Sequence, residues 1–167
     1  EEVARAAGGT RVIIYNIPSR TTVNLDPHLL AELAQIDGIA AVKQSNGAEL
    51  GPIDGMTLLT GNDEDLARCL DVGGAGGIHV SSHIVGSEMR RMFDEPEHRA
   101  EIHAQLSPLF SAMFCTASPI PIKTALSLLG HDVGGLRLPL VEADESELAT
   151  IRTALERQGL LTGVHAA

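Results

Sequence analysis

The residues best suited to chemistry are Tyr15 and Arg20, within Tyr15-Asn16-Ile17-Pro18-Ser19-Arg20, and Lys43, which ends the apolar run Ile39-Ala40-Ala41-Val42. Tyr15 closes an apolar run of its own, from Arg11. If the two runs are neighbouring strands, a phenol, a guanidinium and an amine are aimed at one place. Lysine occurs only at 43 and 123, the remaining basic side chains being arginine, so an amine at a strand terminus is a selective choice. The chemistry it suggests is imine formation with a carbonyl compound.

A free lysine has a pKa of about 10.4, leaving about one amine in two thousand unprotonated at pH 7. Bringing such a group to neutrality near pH 7 requires roughly 4 to 5 kcal/mol of destabilisation of the ammonium, which desolvation at an apolar strand end can supply. Lys43 has that sequence context; its other reading is a strand-end side chain that snorkels to water. Tyr15, the only tyrosine, could relay protons to a bound carbonyl or carbinolamine, or simply plug the end of the fold. Arg20 offers a planar fork for a carboxylate after the stiff Pro18 loop, or is a surface charge.

The elements that must position these groups follow a parallel βα rhythm. Strands are expected at Arg11 to Tyr15, Ile39 to Lys43, Met56 to Thr60 and Gly77 to Val80, with helices between them. Asp26-Pro27 and Asn62-Asp63-Glu64-Asp65 read as helix starts, and Gly38 and Gly73 as helix ends. Gly47 to Asp54 has room only for a turn or two. From Ser87 onward the pattern is helical: Ser87 to Phe93, Pro96 to about Cys115, Ile120 to Leu129, and Asp144 to Gln158, with Gly134 to Pro139 as an extended connector. Glu1 to Ala7 reads as the end of a helix, so the chain is expected to start in mid-fold. Four parallel strands alone leave open sheet edges for another segment or chain to close.

Composition excludes several classes. The net charge of -10 and the single basic pair, Arg90-Arg91, argue against nucleic acid as partner, and 2% aromatic residues leave little for base stacking. No run is long enough to span a membrane, and Glu1-Glu2-Val3-Ala4-Arg5 is no secretory signal, so a cytoplasmic location is expected. Cys69 and Cys115 read as buried small hydrophobes. His79 and His83 lack an evident third ligand, so no metal is expected. His98 and His103 read as solvated, and Lys123 as a surface or helix-docking residue. Gly73-Gly74-Ala75-Gly76-Gly77 reads as a tight turn before a strand and not as a phosphate loop.

The chain resembles the dihydrodipicolinate synthase family. The resemblance rests on Tyr15-Asn16-Ile17-Pro18-Ser19-Arg20, Val42-Lys43, Thr60-Gly61-Asn62-Asp63, Gly73 to Ile78, Ser118-Pro119-Ile120-Pro121-Ile122-Lys123 and Arg137-Leu138-Pro139-Leu140. It covers nearly the whole chain but only the carboxyl-terminal half or somewhat more of the family's length. It implies an α/β fold, part of a TIM (β/α)8 barrel over residues 1–93 supplying strands five to eight, then a helical domain over 94–167. Active sites in such barrels lie at the carboxyl ends of the strands.

The resemblance further implies a pyruvate-dependent lyase. Lys43 would form an imine with pyruvate, whose enamine adds to aspartate semialdehyde to give 4-hydroxy-tetrahydrodipicolinate for lysine and diaminopimelate synthesis. Tyr15 would relay protons, Arg20 would hold the semialdehyde carboxylate, and Gly61 and the Ile78 carbonyl would line the site. No cofactor is implied, and the family's homo-oligomers are tetramers. The chain departs from the family at Gln44-Ser45-Asn46-Gly47, where an acidic residue commonly follows the lysine, and at Asn62. The family's paired threonines and second tyrosine belong to its first half, so the isolated chain is expected to be inactive as a synthase. Two alternatives remain: another pyruvate-dependent class I aldolase of the superfamily, which Arg20 disfavours, and a silent structural fragment.

Overall fold

The computed structural model describes residues 1–161. They form two compact units, Glu1–His79 and the residues from Val80 onward. The first opens with α1 (Glu2–Ala6), followed by β1 (Val12–Asn16), a one-turn α2 (Pro18–Thr21), α3 (Pro27–Leu33), β2 (Ile39–Gln44), β3 (Thr57–Thr60), α4 (Leu66–Asp71) and β4 (Gly76–Gly77). The four strands are parallel and lie in the order β1-β2-β3-β4. Each connection returns the chain to the same end of the sheet, as parallel pairing requires.

Local signals explain the element ends. Asp26 caps α3 by accepting from the Leu29 N–H at 2.9 Å, with Pro27 in the first turn. Gly73 follows the C-cap of α4 at φ +85°, a conformation that costs a side chain but not glycine. Gly38 does not end its helix as expected: α3 stops at Leu33, and Gly38, at φ +90°, serves the turn into β2. Pro18 does not merely stiffen a loop; its fixed φ starts α2.

Alternation along the strands assigns the faces. Ile14, Val42 and Leu58 point toward a core with Leu30, Leu50, Ile53, Met56 and Cys69. Full burial of each such side chain is worth about 1.5 to 3 kcal/mol. The opposite face carries Ile13 and Tyr15, both 47% exposed, and the half-buried Lys43.

The fourth strand is shorter than expected. It ends at Gly77, and Ile78 only adds one ladder bond, its N–H donating to the Thr60 carbonyl at 3.0 Å. Two glycines of the expected turn are therefore the strand itself. Gly74 is fixed by contact, since a Cβ there would meet the Cys69 carbonyl oxygen at 2.7 Å.

The second unit is helical: α5 (Ser82–Asp94), α6 (Arg99–Ala112), α7 (Ile120–Leu128) and α8 (Glu145–Arg157). α5 starts five residues before the expected Ser87, and its bend at Val85 (φ −119°, ψ 37°) hides the longer helix from a periodicity reading. The helix expected from Pro96 begins as a 3-10 turn, Pro96–His98. Asp144 and Glu147 form a reciprocal capping box at 2.9 Å each, and α8 buries Ile151 and Leu155 completely. Lys123 donates to the Gly135 carbonyl at 2.6 Å, tying the connector to α7. Two expectations fail here. Cys115 is exposed, and His103 is half-buried with its ring 5.9 Å from that of Phe110. His98 is exposed as expected.

Candidate active site

Tyr15 and Lys43 are register partners across the β1–β2 ladder. Their side chains share a face, and the Lys43 Nζ lies 4.1 Å from the centroid of the Tyr15 ring. A cation over the face of an aromatic ring is held by the ring quadrupole, so the strands place the amine and the ring pre-aims it. The pair expected from two strand ends is therefore assembled.

Gly61 abuts the lysine directly. A Cβ at this position would stand 2.9 Å from Lys43 Cε and would overlap the Ser45 hydroxyl. Only glycine leaves room for both. Its N–H donates to the Gln44 carbonyl at 2.8 Å, fixing the β3 terminus against β2. Ile78, half-exposed, follows β4 and is held by its N–H to Thr60. Arg20 is different. It is exposed on α2, and its guanidinium forms no hydrogen bond or ion pair among the described residues.

Behind the Tyr15–Lys43 row lies a row of buried amides that sequence reasoning missed. Asn16 and Gln44, the next register pair, face the core at 1% and 0% exposure. Asn16 Nδ2 donates to Gln44 Oε1 at 3.0 Å, and the Asn46 N–H donates to the same oxygen at 2.9 Å. Asn16 also pairs with the Leu25 backbone in both directions, at 3.0 and 3.1 Å, closing the loop that carries Arg20. Asn24 accepts from the Asn46 side chain and donates to the Glu49 carboxylate at 2.9 Å. The amides thus join both strand ends to the Arg20 loop and to the 3-10 turn Gly47–Glu49. Their only sequence signal was a polar side chain at a core-facing position directly after Tyr15 and Lys43.

The electrostatics behind the sheet centre on His79 and the fully buried Asp63. Burial pushes the His79 pKa below the ordinary imidazole value, Asp63 opposes that shift, and the Lys43 charge adds to it. The His79 ring fills the space a side chain at Gly77 would need. Among the described residues no three His, Cys, Asp or Glu side chains gather where they could hold a metal ion.

A parallel α/β sheet with a lysine at a strand end, seated on a tyrosine from the next strand, defines a class of protein that could form imines from the carboxyl ends of its strands. Comparison with known proteins narrows the class. The profile of the dihydrodipicolinate synthetase family matches residues 1–158, and the chain belongs to that family. The 4-hydroxy-tetrahydrodipicolinate synthase of Dehalococcoides mccartyi strain CBDB1 is 41% identical over 155 residues, covering 86% of this chain and 52% of the relative. The dihydrodipicolinate synthase of Cyanidioschyzon merolae, solved with lysine bound, superposes with a TM-score of 0.90 at 35% identity, covering 95% of this chain and 58% of that one. The chloride-inhibited enzyme of Acinetobacter baumannii, solved with pyruvate, gives 0.83 at 28% identity, covering 90% and 56%. The chain spans about half the length of the curated relatives it matches. Among the described residues, no helix is long and apolar enough to cross a membrane.

Proposed function

We propose that this chain carries the imine-forming part of a 4-hydroxy-tetrahydrodipicolinate synthase, a lyase of lysine and diaminopimelate synthesis. Lys43 attacks the ketone of pyruvate, and the two hydrogens of the amine leave with the ketone oxygen as water. Protonation of the imine nitrogen and loss of a methyl proton give the enamine, whose carbon attacks the aldehyde of aspartate semialdehyde. Tyr15 relays the protons, and Arg20, free on its short helix, takes the semialdehyde carboxylate. Gly61 and Ile78 line the site. The solved relative with pyruvate supports the substrate class.

In this reading the four strands are the fifth to eighth of a (β/α)8 barrel, spread over residues 1–93, with a helical domain over 94–167. The protein works in the cytoplasm as a homo-oligomer, with neither nucleic acid nor membrane as partner.

The observation that carries the proposal is the Tyr15–Lys43 register pair with its amine held 4.1 Å from the ring centroid. Borohydride trapping with pyruvate tests it. A stable adduct mapped by peptide mass to Lys43, and lost in Lys43→Arg, is expected. A folded sample without that adduct favours the silent-fragment alternative and ends the proposal.

A further inference from the structure

Ser45 follows Lys43 by two residues, and its hydroxyl oxygen is buried with no hydrogen-bond partner among the described residues. The orphan is confined to the side chain. The Ser45 N–H donates to the Asn16 carbonyl at 2.9 Å, and its own carbonyl accepts from Asn62 Nδ2 at 3.2 Å. A buried donor left unmade costs about 1 to 3 kcal/mol, so such a group calls for an explanation.

Its location supplies one. The Ser45 hydroxyl and Lys43 Cε occupy the same small volume over Gly61, on the side where a Cβ would project. The hydroxyl therefore flanks the stem of the amine. Gln44 Nε2 is also buried without an acceptor among the described residues, but its side chain belongs to the core-facing amide row. Of these two side chains, the serine is the one that combines an unmade hydrogen bond among the described residues with contact to the lysine's own space.

We propose that the Ser45 hydroxyl is a further catalytic group, donating a hydrogen bond to the oxygen of a 2-oxo acid as that acid adds to Lys43. The inference rests on the reading of Lys43 as an imine-forming amine. As the nitrogen-carbon bond forms, the carbonyl π electrons move onto oxygen, and the serine proton stabilises that developing charge without leaving its own oxygen. The amine's two hydrogens then depart with this oxygen as water, and the hydroxyl is returned unchanged. Substrate supplies the partner that the folded chain lacks.

The test is the rate of reductive trapping of pyruvate at Lys43, measured at saturating pyruvate alongside the urea unfolding midpoint. Ser45→Ala should trap about tenfold to a hundredfold more slowly. Its midpoint should be unchanged or higher, because a buried unsatisfied donor has been removed. Ser45→Thr, which keeps the hydroxyl, should recover part of the rate. An unchanged rate in Ser45→Ala, or a fall that follows a lowered midpoint, overturns the inference and leaves the lysine assignment standing. Absence of any Lys43 adduct in the unaltered chain overturns both.

Discussion

The Lys43 amine sits over the face of the Tyr15 ring, 4.1 Å from its centroid, and not out beyond the strand end. The ring face holds the amine, and in the proposed mechanism the hydroxyl moves protons, so the two duties are separable. Tyr15→Phe keeps the first and removes the second. Trapping of pyruvate at Lys43 should survive in this variant. Exchange of the pyruvate methyl hydrogens with deuterium, followed by NMR, should slow by about a hundredfold or more, the usual worth of a positioned proton-transfer group. Equal exchange rates would remove Tyr15 from the proton path.

The amide row behind the site should behave as one unit. Asn16→Leu strips Gln44 Oε1 of one of its two donors and frees both Leu25 backbone bonds, while Gln44→Met removes the acceptor shared by Asn16 and Asn46. Each single change should cost about 1 to 3 kcal/mol in urea unfolding. The double variant should cost less than the sum, since the second substitution removes groups the first has already orphaned. Strict additivity would mean that the two side chains do not support each other.

Gly61→Ala should disturb the site more than the fold. The new Cβ would overlap the Ser45 hydroxyl and stand 2.9 Å from Lys43 Cε, and both are ends of side chains able to move aside. The sheet bond from Gly61 N–H to the Gln44 carbonyl needs no glycine. A pyruvate adduct reduced at least tenfold is therefore expected with a near-native circular dichroism spectrum. Full trapping in the alanine variant would show that the lysine stem need not lie over Gly61.

These effects mark what the sequence could and could not reveal. β1 and β2 were legible because each is an apolar run ending in a chemically distinctive residue, and adjacent parallel strands then bring Tyr15 and Lys43 into register. The cap at Asp26 was legible because it acts within one turn. The amide row was not, because a bond between Asn16 and Gln44 spans 28 residues and exists only once the register is set. Arg20 was expected beside the amine, yet loop closure through Asn16 and Leu25 fixes only the base of its loop and leaves the guanidinium exposed. β4 was misjudged because Gly76-Gly77 has no side chains to signal a strand. Cys115 was misjudged because composition says where cysteine usually lies, not where α6 stops.

The two thiols should separate cleanly. Cys69 is fully buried, its Sγ donates to the Gly76 carbonyl at 3.4 Å, and burial pushes its pKa up. Cys115 is exposed, though partial desolvation raises its pKa as well. A maleimide should modify one thiol in the native protein, at Cys115 and faster as pH rises, and two in denaturant. Native labelling at Cys69 would show that the β4–α4 region opens.

His79 should make the protein less stable in acid. Its folded pKa lies below the ordinary value of 6.5, mainly because burial disfavours the imidazolium, with the Lys43 charge adding to the effect and Asp63 opposing it. Between the depressed folded value and 6.5 the unfolded chain binds more protons than the folded one, so unfolding free energy rises with pH in that window. The contribution is complete above about 6.5 and is lost progressively as pH falls through that value. Urea midpoints between pH 7.5 and 5.5 should therefore fall more steeply for the native chain than for His79→Gln, which cannot take up the proton. The comparison isolates His79 because the surface carboxylates Asp94 and Glu95, whose pKa values are lowered by Arg90 and Arg91, are present in both proteins. Parallel pH profiles would place the acid sensitivity elsewhere and show that Asp63 compensates the burial of the ring.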